Sequence, residues 1–203
     1  MKKLIAMLMS AVMLVSLAAC GQPAQTDGSA VSSAPANLEE LEKTVVITVK
    51  DYGPIEVELD PSAAPITVAN FLKLAGEGFY DGLTFHRIIA GFMIQGGDPQ
   101  GNGMGGSDEK IKGEFKNNGV ENPIQHVRGT ISMARARDMD SASSQFFIVH
   151  QDSPFLDGDY AGFGHVTSGM EVVDAICEKT QVEDGNGTVA PENQPVIESI
   201  VIQ

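Results

Sequence analysis

Between Thr44 and Asp60 the chain reads TVVITVKDYGPIEVELD, and its apolar residues fall on alternate positions: Val45, Ile47 and Val49, then Ile55, Val57 and Leu59. A period of two puts these side chains on one face of an extended segment. The Gly-Pro break between the two runs predicts a hairpin. After Asp60 the period changes. Val68, Phe71, Leu72 and Ala75 stand at helical spacing, behind prolines and ahead of glycines, which predicts an amphipathic helix with both ends marked. Short strand candidates follow at Leu83–Ile88, Phe92–Gly96, Thr130–Ala134, Gln145–Val149 and Tyr160–Val166. A second helix is expected from Gly169 to about Lys179, and a last strand over about Pro195–Ile202. These elements do not alternate as βαβ units would. Their order predicts one mainly β domain over residues 44–203, an antiparallel barrel with a helix at each end.

Upstream the pattern is different. Lys2 and Lys3 precede an uncharged run from Leu4 to Ala19, shorter than the roughly 20 residues of a bilayer span, so residues 1–19 read as a signal peptide. The ending Leu17-Ala18-Ala19-Cys20 resembles the lipobox of bacterial lipoproteins. That resemblance implies that Cys20 is the lipid attachment site and mature N-terminus, with palmitate-type acyl chains as the membrane anchor. The other reading is an ordinary secretory signal cut near Ala19, leaving a free cysteine. Residues 20–43 are rich in Ser, Ala, Gly, Pro and Gln, hold few large apolar residues, and read as a tether reaching on the order of 25–30 Å. The implied location is extracytoplasmic, on a bacterial membrane. The remaining cysteine, Cys177, falls on the apolar face of the second helix with Val172, Val173 and Ile176, and reads as a small buried hydrophobe.

Charge removes some partners. The chain carries 27 acidic against 13 basic residues, and two of the lysines lie in the signal segment. Nucleic acid is excluded as a partner on this ground, because phosphate binding needs clustered Lys and Arg. A monomer is expected. No HExxH, paired CxxC or GxSxG occurs, so neither a metal nor an elbow serine is expected, and no cofactor. The glycine-rich stretch Gly96–Gly106 lacks the Lys-Ser/Thr of a phosphate-binding loop. Strand alternation separates His86 from Arg87, so His86 is expected to face away from Arg87 and to be structural.

Three separated stretches, FHRIIAGFMIQGGD (Phe85–Asp98), SMARARDMDSASSQFFI (Ser132–Ile148) and FLDGDYAGFGHV (Phe155–Val166), together resemble the cyclophilin family of peptidyl-prolyl cis-trans isomerases (rotamases). The resemblance implies a closed eight-stranded antiparallel barrel capped by two α-helices. It implies that Arg87 is the catalytic arginine, that Phe92, Met93, Phe147 and Leu156 hold the proline ring, and that Gln95 orients the arginine. Ala134 and Arg135 match an edge whose backbone pairs with the substrate, with Gln145 on the same groove and Phe155 and Tyr160 at the rim. Substrates would be proline-containing segments of exported or unfolded proteins, whose folding the enzyme assists. Phe155 and Tyr160 stand where many members carry tryptophan and histidine, so only weak cyclosporin binding is expected. Ala90 stands for a proline and Arg135 for an asparagine, while Met104 narrows the neighbouring subsite. From residues alone, Arg87 could instead be a strand arginine whose stem covers apolar surface, and the apolar four could be plain core. A proline-segment-binding chaperone or scaffold with little turnover is the alternative function.

Overall fold

The computed structural model describes Asn37 and residues 44–203. The segments expected to be a signal peptide (1–19) and, from Cys20, a tether (20–43) lie outside the described residues, Asn37 apart. Strands β1 (Thr44–Val49) and β2 (Gly53–Leu59) form the expected hairpin, in register from Thr44↔Glu58 to Val49↔Gly53. Its turn is one step earlier than the Gly-Pro break suggests. The chain reverses over Lys50–Tyr52, with Asp51 at φ 65°, a left-handed conformation that aspartate tolerates better than most residues. Pro54 then sits at the start of β2, before the ladder to β7 begins at Glu56, where a missing N–H is tolerated.

Helix α1 (Pro65–Gly76) is followed by β3 (Thr84–Ile89), β4 (Met93–Asp98), β5 (Thr130–Met133), β6 (Phe146–Val149) and β7 (Ala161–Ser168). Helix α2 (Met170–Lys179) and β8 (Ile197–Ile202) complete the chain. All eight strands join one antiparallel sheet in the order β3-β4-β6-β5-β7-β2-β1-β8. The expected closed barrel is instead an open half-barrel. β3 and β8 end the order, and between them lies only the bridge Thr84↔Val196, just before β8 begins. The free edge of β3 is taken up by the irregular segment 187–196. Ile88 N–H donates to the Gly187 carbonyl (2.8 Å), Val189 N–H to that of His86 (3.1 Å), and Phe85 N–H to that of Pro195 (2.9 Å). With its edge groups bonded, β3 leaves no open ladder for β8 to extend along.

The main core lies inside the curved sheet. Phe71 of α1 meets Phe146 edge-on at 5.5 Å and Phe163 at 5.2 Å, and buried Tyr80 closes on both Phe71 and Phe146. Helix α1 packs against β8 and β7, and α2 against β2. The N-terminus of α1 has no capping side chain of its own, since Ala64 stands at the cap. Buried Glu114 does that work from 48 residues away, accepting Ile66 N–H (3.0 Å), Thr67 N–H (2.8 Å) and the Thr67 hydroxyl (2.8 Å). Cys177 is half-buried against the core, and burial pushes its thiol up to about 11, as a packing residue requires.

Strands β4 and β6 are buried on both faces. Along β6, Phe146 and Ile148 enter the main core while Phe147 and Val149 join a separate outer cluster with Met93 and Leu156. This explains why FFIV reads as an unbroken apolar run, where a strand with one wet face would alternate. The outer cluster is the base of the site.

Candidate active site

A cavity of about 490 Å³ opens over the outer cluster, between β3, β4, the loop after β4 and the segment 183–194. Its apolar lobe is formed by Phe92, Met93, Phe147, Leu156 and Tyr160. Phe147 is its floor: 5% exposed, edge-on to Tyr160 at 5.8 Å and stacked over the His126 ring at 6.0 Å. Phe92 comes from the β3–β4 turn, which is tied down through His150. The His150 Nδ1 accepts Gly91 N–H (2.8 Å), Nε2 contacts Asp174 of α2 (3.1 Å), and its backbone N–H bonds the Phe92 carbonyl (2.8 Å).

Arg87 projects from β3 opposite its strand partner Gln95. Its Nε–H donates to the Asn186 carbonyl (2.9 Å) and its Nη1–H to Gln95 Oε1 (3.3 Å). The fixing continues outward: Gln95 Nε2 donates to Gln145 Oε1 (2.9 Å), and Gln145 Nε2 to the carbonyls of Gly105 (2.7 Å) and Gly103 (3.2 Å). Asn186 belongs to a turn held by Asp184, whose carboxylate accepts Asn186 N–H (2.9 Å) and Thr188 N–H (3.1 Å). The Thr188 backbone N–H, with the other donors of this turn, holds the Asp184 carboxyl below the usual range. The glycine-rich loop is similarly wound on buried Asp98. Burial would raise that carboxyl, but N–H groups from Gln100, Asn102, Gly103 and Gly105 outweigh it and hold it low.

The structure brings together nearly all residues singled out from sequence. Arg87, Phe92, Met93, Gln95, Ala134, Arg135, Phe147, Leu156 and Tyr160 line this cavity. Gln145 lies in the adjoining depression beside Met104, and Phe155 stands outside the wall, 69% exposed, against Phe92 at 5.3 Å. Arg135 turns its guanidinium over the rings of Tyr160 (4.9 Å) and Phe115 (5.0 Å), donating from Nε to the Asp159 carbonyl (3.0 Å).

His86 does not follow the expectation. Its strand is bulged: Phe85 pairs with Gly96 and Arg87 with Gln95, so two steps on β3 match one on β4. The extra residue breaks the alternation, and His86 lines the same cavity as Arg87. Two further contributors have no local signal. Asn186 lies 99 residues from Arg87, and His126 is defined by Asp157 at Nδ1 (2.8 Å) and Ser132 Oγ at Nε2 (2.9 Å). Among the described residues no three of His, Cys, Asp and Glu converge as metal ligands.

Burial lowers the pKa of both His86 and His126, the latter against the pull of Asp157. The unfolded chain therefore binds more protons than the folded one below an ordinary histidine's value of about 6.5. The stability that goes with neutral imidazoles is complete above that value and is lost as pH falls below it. For each of the two the loss is at most about 1.4 kcal/mol per pH unit. The urea midpoint is expected to decline steadily from about pH 6.5 to 5, before carboxylates with lowered values add their share near pH 4. A midpoint flat across that window would contradict neutral burial of these rings.

A bulged edge strand with a fixed arginine, over an apolar lobe on the outer face of an eight-stranded antiparallel half-barrel, agrees with what comparison with known proteins finds. Residues 44–202 match the family described as cyclophilin type peptidyl-prolyl cis-trans isomerase/CLD, and the chain belongs to that family. It is a peptidyl-prolyl cis-trans isomerase of the cyclophilin type. Among relatives, peptidyl-prolyl cis-trans isomerase B of Bacillus subtilis is 54% identical over 129 residues, 64% of this chain and 87% of that protein. A peptidyl-prolyl cis-trans isomerase of Helicobacter pylori is 48% identical over 148 residues, 71% of this chain and 88% of its own length. A cyclophilin-type isomerase of Cryptosporidium parvum, solved in the presence of the dipeptide Ala-Pro, superposes with a TM-score of 0.69 at 33% identity, covering 79% of this chain and 98% of that one.

Proposed function

We propose that this protein accelerates rotation about X-Pro bonds in exported or unfolded polypeptides outside the cytoplasm, with Arg87 as the catalytic donor and the apolar lobe as the seat of the proline ring. The observation that carries the reading is the pinned guanidinium beside that lobe. Asn186 and Gln95 occupy Nε and Nη1, while Nη2 has no hydrogen-bonded protein partner among the described residues. Rotation meets a barrier of about 18–20 kcal/mol set by amide resonance. An acceleration of roughly 10⁴-fold requires lowering it by about 5.5 kcal/mol. No covalent bond forms or breaks, so the site needs only a grip and a donor. As the amide twists, the prolyl nitrogen regains its lone pair and becomes an acceptor. A guanidinium N–H aimed at it binds the twisted state more strongly than the planar one. Phe147, Phe92, Met93 and Leu156 hold the ring while the carbonyl side turns. The Ala-Pro dipeptide present with the Cryptosporidium relative supports a proline-containing ligand here as well. A short X-Pro peptide that relaxes no faster with the full chain than without it overturns this reading.

The anchor is the second part of the proposal. Lys2, Lys3, the uncharged run and Leu17-Ala18-Ala19-Cys20 support lipid attachment at Cys20 and display of the domain on a tether formed by residues 20–43. In cells fed labelled palmitate, the intact protein is expected to take up label and a Cys20→Ala variant to take up none. Equal labelling of the two removes the anchor from the proposal.

A further inference from the structure

Of the four apolar side chains assigned to the proline ring, Met93, Phe147 and Leu156 are buried in the outer cluster, while Phe92 is only partly buried and meets the exposed Phe155 at 5.3 Å. Packing fixes the first three. Phe92 belongs to the turn between β3 and β4, so its place follows from what holds that turn. The hairpin ladder ends at Ile89↔Met93, and Gly91, in the left-handed region at φ +84°, has no strand partner for its N–H. His150 Nδ1 accepts it at 2.8 Å.

The state of that ring is fixed by its partners. A backbone N–H can only donate, so Nδ1 is bare and the ring proton sits on Nε2, which faces Asp174 Oδ1 at 3.1 Å. Asp174, on α2, is gripped by both ends of the Arg128 fork, Nη1 on Oδ1 and Nη2 on Oδ2, at 2.8 Å each. Arg128 Nη1 also donates to the His150 carbonyl (2.9 Å), which ties the residue at backbone and ring together. The hydrogen bond from Arg128, ahead of its charge, holds the Asp174 carboxyl below the usual range and so keeps it an acceptor for Nε2–H. None of Gly91, Arg128, His150 and Asp174 lines the cavity. Three side chains outside the site therefore converge on one turn amide, next to the one ring of the seat that packing leaves half-covered.

We propose that His150 is a positioning residue for the isomerase: oriented by Asp174 and Arg128, its bare Nδ1 holds the Gly91 amide and thereby sets Phe92 against the proline ring. The inference rests on the ring seat proposed above and adds to the groups that determine substrate affinity a residue of α2, Asp174, that no substrate touches. With the bond in place the turn keeps the geometry that closes the seat. Without it that geometry is one of several, and apparent affinity falls by the fraction of molecules that hold it. The loss weighs equally on the planar and twisted forms of the peptide, so it falls on KM and leaves kcat in place.

The test is the turnover of a short X-Pro peptide by variants of the full chain. His150→Leu is expected to raise KM about five- to tenfold, the scale of one neutral hydrogen bond, with kcat nearly unchanged. His150→Asn, whose Oδ1 can stand where Nδ1 stood, is expected to recover KM. Asp174→Ala removes a half-exposed carboxylate and is expected to raise KM about two- to fivefold, but to change nothing when combined with His150→Asn. The Gly91 amide, followed by hydrogen exchange in NMR spectra, is expected to exchange faster in His150→Leu and to be protected again in His150→Asn. A plain structural staple gives faster exchange and a lower melting temperature with KM unchanged, and that result overturns the proposal. So does an Asp174→Ala effect that persists in full beside His150→Asn, an arm that does not depend on His150→Leu folding. If no peptide is accelerated at all, the isomerase reading fails separately. The dissociation constants of the same peptides, measured by calorimetry, then decide the proposal by the same ratios.

Discussion

Arg87→Ala is expected to lower kcat/KM for a short X-Pro peptide by about 10²–10³-fold, the loss that follows removal of one oriented donor from a site of this kind. The size rests on orientation as much as on charge. The guanidinium is held by the Asn186 carbonyl at Nε and by Gln95 at Nη1, so the remaining N–H groups are already aimed and little reorganisation accompanies the twist. Arg87→Lys is expected to recover little. A single ammonium cannot hold Asn186 and Gln95 and still reach the prolyl nitrogen, and its point charge lacks the planar fork. The variants should unfold close to the native temperature, because Arg87 is only half-buried at the cavity wall and is absent from both apolar clusters. Peptide isomerisation, read by magnetisation exchange between cis and trans signals, checks the rate, and calorimetry checks binding. Loss of rate with binding kept assigns Arg87 to the twisted state. Unchanged rates remove it from the mechanism and return the site to a holdase for proline segments.

The strands and helices could be read from the chain wherever one physical rule governed them. Val45, Ile47 and Val49 alternate because β1 has one face in the core, and Val68, Phe71, Leu72 and Ala75 recur at helical spacing because α1 lies on that core. What escaped depends on interactions remote in sequence. Closure of the barrel was expected because the family resemblance implies it, but whether β3 meets β8 is decided by the segment 187–196, which bonds the β3 edge first. His86 was expected to face away from Arg87 because alternation was carried across a strand that contains a bulge, and pairing with β4 creates that bulge. Arg87, Gln95, Phe92 and Met93 were singled out together through the family resemblance of FHRIIAGFMIQGGD, and the structure sets them around one cavity because that stretch folds as one hairpin. The groups that steady it, Asn186, His126 and Asp157, come from loops whose positions follow only from the finished fold. Glu114 is of the same kind, an acid in a loop that becomes the cap of a helix 48 residues earlier.

Phe147→Ala is expected to act on stability and on catalysis together, and the comparison of the two separates a pocket floor from a plain core residue. Phe147 is 5% exposed, so truncation leaves a cavity beneath Tyr160 and beside the His126 ring, at a cost of about 3–5 kcal/mol. In a domain of this size the melting temperature would fall by roughly 6–20 °C. Well below that temperature the molecules that remain folded still carry Arg87 in place, because the Phe147 side chain takes no part in the Arg87–Gln95–Gln145 side-chain relay and its backbone pairing with Gln95 is unchanged by the substitution. Their kcat/KM is nevertheless expected to drop by about tenfold or more, since the ring seat loses its largest apolar surface and the proline is no longer held at a defined distance from the guanidinium. Phe147→Leu keeps most of the volume, should recover most of the stability, and should recover activity less completely because a flat floor is replaced by a branched one. Thermal unfolding and peptide isomerisation at a temperature where every variant is folded give the two readings. Stability lost with turnover unchanged would make Phe147 a packing residue and move the proline seat elsewhere in the cavity.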